Sequence, residues 1–318
     1  MPYRFRRRET VVAGVRRIAR EQIDAALAAI RDDDLDPHEA VHQVRQRCKR
    51  VRGLLRLVRP QIGNTYHQEN AFFRDAAAGL SSLRDAQSMI ECFDRQLAHV
   101  RGGRKRQSFA SIGTQLRRRR DRIAREEGDV RIRLKHFKRQ MRDAKPRIDE
   151  WSLPVDEFEA IAGGFEQTYR LAQEFLERAY ADPSAENFHE WRKHVKYHGY
   201  HCRLLRGIWP AMLDVFREAA DCLGEWVGED HDLAMIRRTV LDAPDDFGKP
   251  TTIEALLLLI DRRRCQLQTQ ARPVGLRMFA HDPTAVAQWF ADCWGIWRNG
   301  RTQACQLARL PLPLAIAR

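Results

Sequence analysis

The sequence predicts an all-α protein built from two copies of one helical unit, and three observations carry that prediction. Apolar residues recur at steps of three and four along nearly the whole chain, the period of a helix with one buried face. Apolar–polar alternation bounded by turn dipeptides, the mark of strands, is scarce. A shift of 147 residues brings His42 onto His189, Arg45 onto Arg192, Lys49 onto Lys196 and Asp85 onto Asp232. Both ends of a 43-residue interval agree in the two halves, so the match is an internal repeat rather than a chance pairing of two basic stretches.

Glycine and proline punctuate the periodic segments. In chain order, breaks are expected at Asp32 to Pro37, Pro60 to Asn64, Arg101 to Gly103, Pro146 to Pro154, Asp182 to Ser184, Pro210, Ala243 to Pro250 and His281 to Pro283. The first helix places Arg16 and Arg20 one residue beyond the apolar Val15 and Ala19. The next opens on Asp36-Pro37, an N-cap followed by proline in the first turn, and Asp182-Pro183 is expected to do the same in the second half. Its seam is Val41, Val44, Cys48, Val51, Leu55 and Val58. Displaced by one residue run His42, Arg45, Lys49, Arg52, Arg56 and Arg59, a cationic stripe about 100° round the helix from the seam. The segment Pro146 to Pro154 is the expected boundary, giving halves 1–150 and 151–318. In the second half Phe188, Trp191, Val195, Cys202, Leu205 and Trp209 form the seam, and His189, Arg192, Lys196, Arg203 and Arg206 the stripe.

Charge narrows the function. The 318 residues hold 56 lysines and arginines against 43 acids, a formal net charge of +13, which points to a polyanionic partner: nucleic acid, an anionic surface or a phosphate polymer. No Asp or Glu occurs from Gln43 to Gln68. A merely solvated face usually alternates sign, because like charges at i and i+4 repel, so the doubled stripe reads as an anion-binding device. The charged amino terminus lacks the apolar core of a signal peptide. The longest apolar run, Leu256 to Ile260, falls far short of the ~20 residues of a membrane span. Seven cysteines without a CxxC pair, on helical apolar positions such as Cys48, Cys202 and Cys222, read as reduced thiols of a cytoplasmic protein.

The histidine heading each stripe has three roles open to it: structural hydrogen bonding, phosphate contact, or phosphoryl acceptance. Asp85 and Asp232 read as caps or as ion-pair partners that orient a stripe arginine. His38-Glu39-Ala40-Val41-His42 matches the zinc-protease string HExxH. However, His38 falls in the first turn, no third ligand is evident, and the repeat matches His38 with Ala185. No metal and no cofactor are therefore expected.

The paired His-x-x-Arg-x-x-x-Lys runs, with LRDAQ and EDHDLA, resemble the CHAD family of helical domains from about Val12 to about Trp297. The resemblance is most specific at His42 to Pro60, Phe73 to Ala86, Phe188 to Pro210 and Leu223 to Leu233. It implies two four-helix bundles related by a pseudo-twofold, and a basic central groove that binds inorganic polyphosphate. It also implies association with polyphosphate granules in bacteria and archaea. The family's histidine, arginine and lysine fall on His42, Arg45 and Lys49, and on His189, Arg192 and Lys196. Its following arginine falls on Arg52, but Gly199 holds that place in the second half and Tyr197 also departs from the pattern, with Lys193, His194, His198 and His201 as candidates to compensate. Since the two repeats use the whole chain, the triphosphate-tunnel catalytic domain often fused to this family is not expected.

The expected protein is non-catalytic and binds inorganic polyphosphate through His42, Arg45, Lys49, Arg52, Arg56, His189, Arg192, Lys193, Lys196 and Arg203, with Arg16, Arg20, Arg84 and His231 as secondary contributors. The runner-up is nucleic-acid binding by the same groove. The first stripe has no aromatic member on which bases would stack, which favours a polymer without bases. A histidine-dependent phosphotransferase or polyphosphatase is the third reading.

Overall fold

A computed structural model describes residues 3–100 and 103–307 and is helical throughout, with no strand among the described residues. In order the helices are α1 (Val11–Arg31), α2 (Pro37–Leu57), α3 (Arg59–Ile62), α4 (Asn64–Ala78), α5 (Ser82–His99), α6 (Gly103–Ser108), α7 (Ala110–Glu127) and α8 (Val130–Arg147). A 3-10 turn at Ile148–Glu150 follows, then α9 (Glu159–Ala181), α10 (Ala185–Leu205), α11 (Pro210–Asp242), α12 (Pro244–Phe247), α13 (Pro250–Met278) and α14 (Pro283–Leu307). The expected breaks at residues 32–37, 60–64, 182–184, 243–250 and 281–283 all separate helices, and α11 begins at Pro210. The break at Arg101 to Gly103 lies partly outside the described residues.

The packing is interleaved. α1 lies on α2 and α8, and α2 also meets α4, α9 and α10. α9, α10, α11 and α13 stack in succession, while α5 packs between α7 and α11. Two of the three apolar clusters draw on both sides of the 150/151 boundary. One joins α1, α2, α4 and α8 to α9, α10 and α14, with Trp151 buried inside it. Another joins α5 and α7 to α11 and α13. The third holds the faces of α9, α10, α11 and α13 together.

Close helix contact depends on small residues at several places, two of which bear on the site. An added Cβ on Gly164 of α9 would lie 2.0 Å from the Leu57 carbonyl oxygen at the end of α2. On α10, one added to Gly199 would come 3.1 Å from the Ala220 Cβ of α11. The place that breaks the cationic repeat thus sits at a helix crossing with no room for a long side chain. No helix among the described residues is long and apolar enough to cross a membrane.

Candidate functional site

Local sequence fixes how α2 and α10 present their cations. The Asp36 carboxylate accepts from the His38 and Glu39 amides at 2.8 and 3.2 Å, and Pro37 occupies the first turn. In the second half the cap is Ser184, which accepts from the Asn187 amide at 3.2 Å, and not Asp182, which ends α9. The Asn187 side chain instead donates to the Asp182 carboxylate and carbonyl, holding that aspartate outside the helix. All six seam residues of α2 are buried, as are Phe188, Trp191, Val195, Cys202 and Leu205 of α10. Trp209 departs from the expected seam: α10 ends at Leu205, so Trp209 caps α11 and stands 48% exposed. Cys222 is likewise exposed rather than in the core.

The helices matched by the repeat pack on each other, α2 on α10 and α5 on α11. This brings Lys49 of α2 beside Arg192 and Lys196 of α10. Burial, then Arg45 and Arg192, holds the Lys49 ammonium down to about 8. Burial, then Arg192 and Lys49, holds Lys196 down to about 7. Among the described residues none of the three makes an ion pair with a carboxylate, and the Arg192 Nε is buried without a hydrogen-bond partner. Asp85 and Asp232 are felt at longer range: both favour the Arg192 cation, and Asp232, pushed up first by burial and opposed by Arg192, is raised further by Asp85.

Two glycines of α11, which the sequence reading passed over, make room for these cations. Gly224 faces the Lys196 stem, its would-be Cβ 3.6 Å from Lys196 Cε. Gly228 faces the guanidinium, 3.3 Å from Arg192 Nε. The signal was legible as glycines four residues apart in LGEWVGED, which line one helix face.

The rest of each row is unequal. Arg52 donates to Asn70 at 3.0 Å, and Arg56 lies 4.1 Å from the centroid of the Tyr197 ring, so the aromatic that interrupts the second repeat supports a cation of the first. Arg45 is held by the Ser81 carbonyl at 2.9 Å and by Asp85 at 3.1 Å, the orienting role expected of that aspartate. Five expected contributors are engaged elsewhere. Arg203 forms a two-pronged pair with Asp221 at 2.7 and 2.8 Å, and Lys193 pairs with Glu190 on its own helix. Arg16 donates to the Trp151 carbonyl at 2.7 Å and Arg20 pairs with Asp149, both at the 3-10 turn. Arg84 pairs with Glu91. His194, His198 and His201, candidates to restore a cation, are core residues: His194 stacks on Phe175, His198 lies among Phe165, Tyr169 and Phe279, and His201 bonds the Gly53 carbonyl at 3.0 Å. Burial drives their imidazoles down to about 4, 4 and 3, so they are neutral at pH 7.

The two lead histidines differ. His42 is exposed and lines a cavity of about 460 Å³ with His38, Arg84, Arg120 and Arg133. His189 is half-buried, its ring 4.3 Å from that of His231. Burial, then neighbouring cations, lowers both lead histidines, and burial, then His189, brings His231 down to about 4. An anion drawn to this region therefore meets fixed charge from the arginines and titratable charge from the lysines. Among the described residues no group of three or more His, Cys, Asp or Glu side chains is placed to hold a metal ion, and the HExxH string gains no third ligand.

A family model for the CHAD domain matches residues 17–241. Among solved structures the chain is similar to PptA from Streptomyces chartreusis, with a TM-score of 0.54 and 14% identity over 86% of this chain and 100% of that one, a likeness of fold alone. No curated protein matches the chain.

Proposed function

The chain belongs to the CHAD domain family, and from that premise we propose that it binds inorganic polyphosphate without turning it over. The halves 1–150 and 151–318 act as pseudo-twofold-related bundles whose stripes line one basic groove. Lys49, Arg192 and Lys196 form its centre, with His42, Arg45, Arg52, Arg56 and His189 flanking. Association with polyphosphate granules follows from the same binding.

The observation that carries this reading is the meeting of Lys49, Arg192 and Lys196 from two repeated helices, partly buried and without a carboxylate partner. Clustered like charge of this kind is costly unless an anion neutralises it. A phosphate chain supplies charge on every unit, and each cation it engages releases a condensed counter-ion, as at nucleic-acid backbones. Arg192 offers a guanidinium fork to phosphoryl oxygens, and the lysines act as compact point charges. The seam aromatics Phe188 and Trp191 are buried, which leaves no stacking platform for bases along this stretch of α10.

Binding of short-chain polyphosphate to the wild type and to Lys49→Ala and Lys196→Ala tests the proposal. Each variant is expected to bind about tenfold more weakly, to lose roughly one unit from the salt slope, and to keep its helicity. Unchanged affinity and slope in both would place the lysines outside the site. Polyphosphate incubated with the protein and Mg²⁺ is expected to keep its chain length; phosphate release, or phosphohistidine at His42 or His189, would make the protein an enzyme instead.

A further inference from the structure

The chain's net charge is not spread over the molecule. Residues 101–147 hold 18 of the 56 lysines and arginines but only 5 of the 43 acids, a local excess of 13 that equals the excess of the whole chain. The remaining residues hold 38 of each sign. This segment contains α6, α7 and α8, and none of the groove's cations.

Most of these charges face solvent. α7 turns Ile112 and Leu116 inward, toward α5. At about 100° per residue the opposite face presents Arg118, Arg122 and Arg125 in a row, while Arg119 stands seven residues on from Ile112, on the inward side; all four are exposed. α8 buries Leu134, Phe137, Met141 and Ala144 and presents a second exposed row, Arg131, Lys135, Arg139 and Arg142. Among the described residues none of these eight side chains pairs with a carboxylate. Their neighbours behave otherwise: Arg117 is paired with Asp94 at 2.8 Å, Arg120 with Asp121, and Arg133 with Glu127. Acids thus serve three of the arginines and leave eight exposed cations of α7 and α8 without a carboxylate partner.

We propose that α7 and α8 form a second, independent polyanion site that docks the phosphate backbone of a nucleic-acid duplex, without reading its sequence. The occupant is argued from the kind and layout of the charges. Of the eight exposed cations seven are arginines, the residue that grips phosphate two-pronged. They form two rows on two helices joined at Gly128 and Asp129, which suits a ligand with two lines of phosphate better than a single chain. Successive cations in a row rise about 5–6 Å along the helix axis, and an α-helix fits the ~12 Å major groove of a duplex. Single strands are disfavoured because the segment's aromatic rings, Phe109 and Phe137, are buried. A bilayer surface is disfavoured because Ile132 is the one large apolar side chain exposed on the described part of α7 and α8, where a membrane-surface helix needs a broad apolar face. The site is not an extension of the groove. The cavity between them, which His42 shares, is lined by Asp36, Glu39, Glu91 and Asp121 as well as by Arg84, Arg120 and Arg133.

The test uses the full chain and a labelled mixed-sequence DNA duplex of about 20 base pairs, followed by anisotropy over a salt series. The wild type is expected to bind with a steep salt dependence. The joint variant Arg118→Ala, Arg122→Ala, Arg125→Ala should weaken binding at least about tenfold and lower the slope by roughly three, and Arg131→Ala, Lys135→Ala, Arg139→Ala should do the same. Lys196→Ala, which empties the groove's centre, should leave duplex binding unchanged. Alanine on these exposed helical positions favours the fold, and circular dichroism confirms it. Either triple variant binding like the wild type would overturn the proposal, as would transfer of the loss to Lys196→Ala. Preferential capture of a single strand, or of phosphatidylglycerol vesicles that the duplex does not displace, would replace the occupant and overturn it equally.

Discussion

Polyphosphate binding at the groove should be coupled to proton uptake, with a size set by the two lysines. Lys49 is held to about 8 and Lys196 to about 7, in both cases first by burial and then by neighbouring cations. In the free protein at pH 8 half of Lys49 and most of Lys196 are therefore neutral. A bound polyanion favours the ammonium forms, so forming the complex takes up ~1.4 protons at pH 8. Affinity follows: through the lysines alone, binding at pH 8 is about tenfold weaker than at pH 7, and their contribution between pH 6 and 7 is only about twofold. The groups facing these lysines do not cancel the effect. Arg45, Arg52 and Arg192 oppose the ammonium forms, and Asp85, Asp221 and Asp232 contribute only at longer range. The stability of the free protein moves the opposite way. Between about 7 and the ordinary lysine value of 10.5 the unfolded chain binds more protons than the folded one, so folding strengthens as pH rises through that window while affinity falls. Titration calorimetry at pH 8 in HEPES and in Tris, whose ionisation enthalpies differ, reads the uptake directly. Lys196→Ala should leave about half a proton. Identical apparent enthalpies in the two buffers would refute the reasoning, because the lysines would then be charged before the ligand arrives.

Gly228→Ala puts a Cβ 3.3 Å from Arg192 Nε; it should keep or raise the thermal midpoint, since alanine gains about 1 kcal/mol in a helix, yet weaken polyphosphate binding several-fold, and unchanged affinity would mean the glycine does not cradle the guanidinium. Arg203→Ala removes a partly exposed pair with Asp221 and should cost about 0.5–1 kcal/mol in urea unfolding, with affinity kept within about twofold, whereas Arg192→Ala should lose about tenfold or more. Gly164→Ala places its Cβ 2.0 Å from a backbone oxygen and should destabilise the fold by roughly 3 kcal/mol, which a denaturant midpoint equal to wild type would contradict. Asp36→Ala leaves two first-turn amides of α2 without their acceptor and should cost about 1 kcal/mol, measured by the same unfolding curve.

What the sequence made legible was local and periodic. The seam of α2 follows from helical spacing and from the cost of exposing Val, Cys and Leu, and the Asp36-Pro37 start from the needs of free amides. The repeat reading rests on sequence, where both ends of one interval match at a shift of 147 residues. What escaped depended on partners far along the chain. Arg203 looked like another member of a free stripe, and only the packing of α10 on α11 sets it against Asp221. The packing of α10 on α9 and α2 buries His198 and His201 instead. The break between α7 and α8 was also missed, although Gly128 at φ 70° followed by an Asp129 cap carries the usual stop and start signals. The crowding of charge into 101–147 was countable from the start, but the total of +13 drew attention to the repeated stripes.

The pairing of α10 with α11 separates structural cations from those left for a ligand. The two helices run in opposite directions, and the stripe positions of α10 and the residue capping its end meet α11 in order. Arg206 meets Asp214 and Arg203 meets Asp221, both through two-pronged bonds. One turn further, Lys196 meets Gly224, and after it Arg192 meets Gly228; His189 then meets His231. Acid gives way to glycine and then to a neutral imidazole along one continuous face. A fold selected only for stability would gain by continuing the acids, because the same backbone already places carboxylates well at the other end. Glycine there weakens α11 by roughly 1 kcal/mol per position relative to alanine and leaves two cations without a counter-charge. The pattern makes sense when the missing negative charge comes from outside the chain, since the same glycines that withhold a carboxylate make room for the two cations.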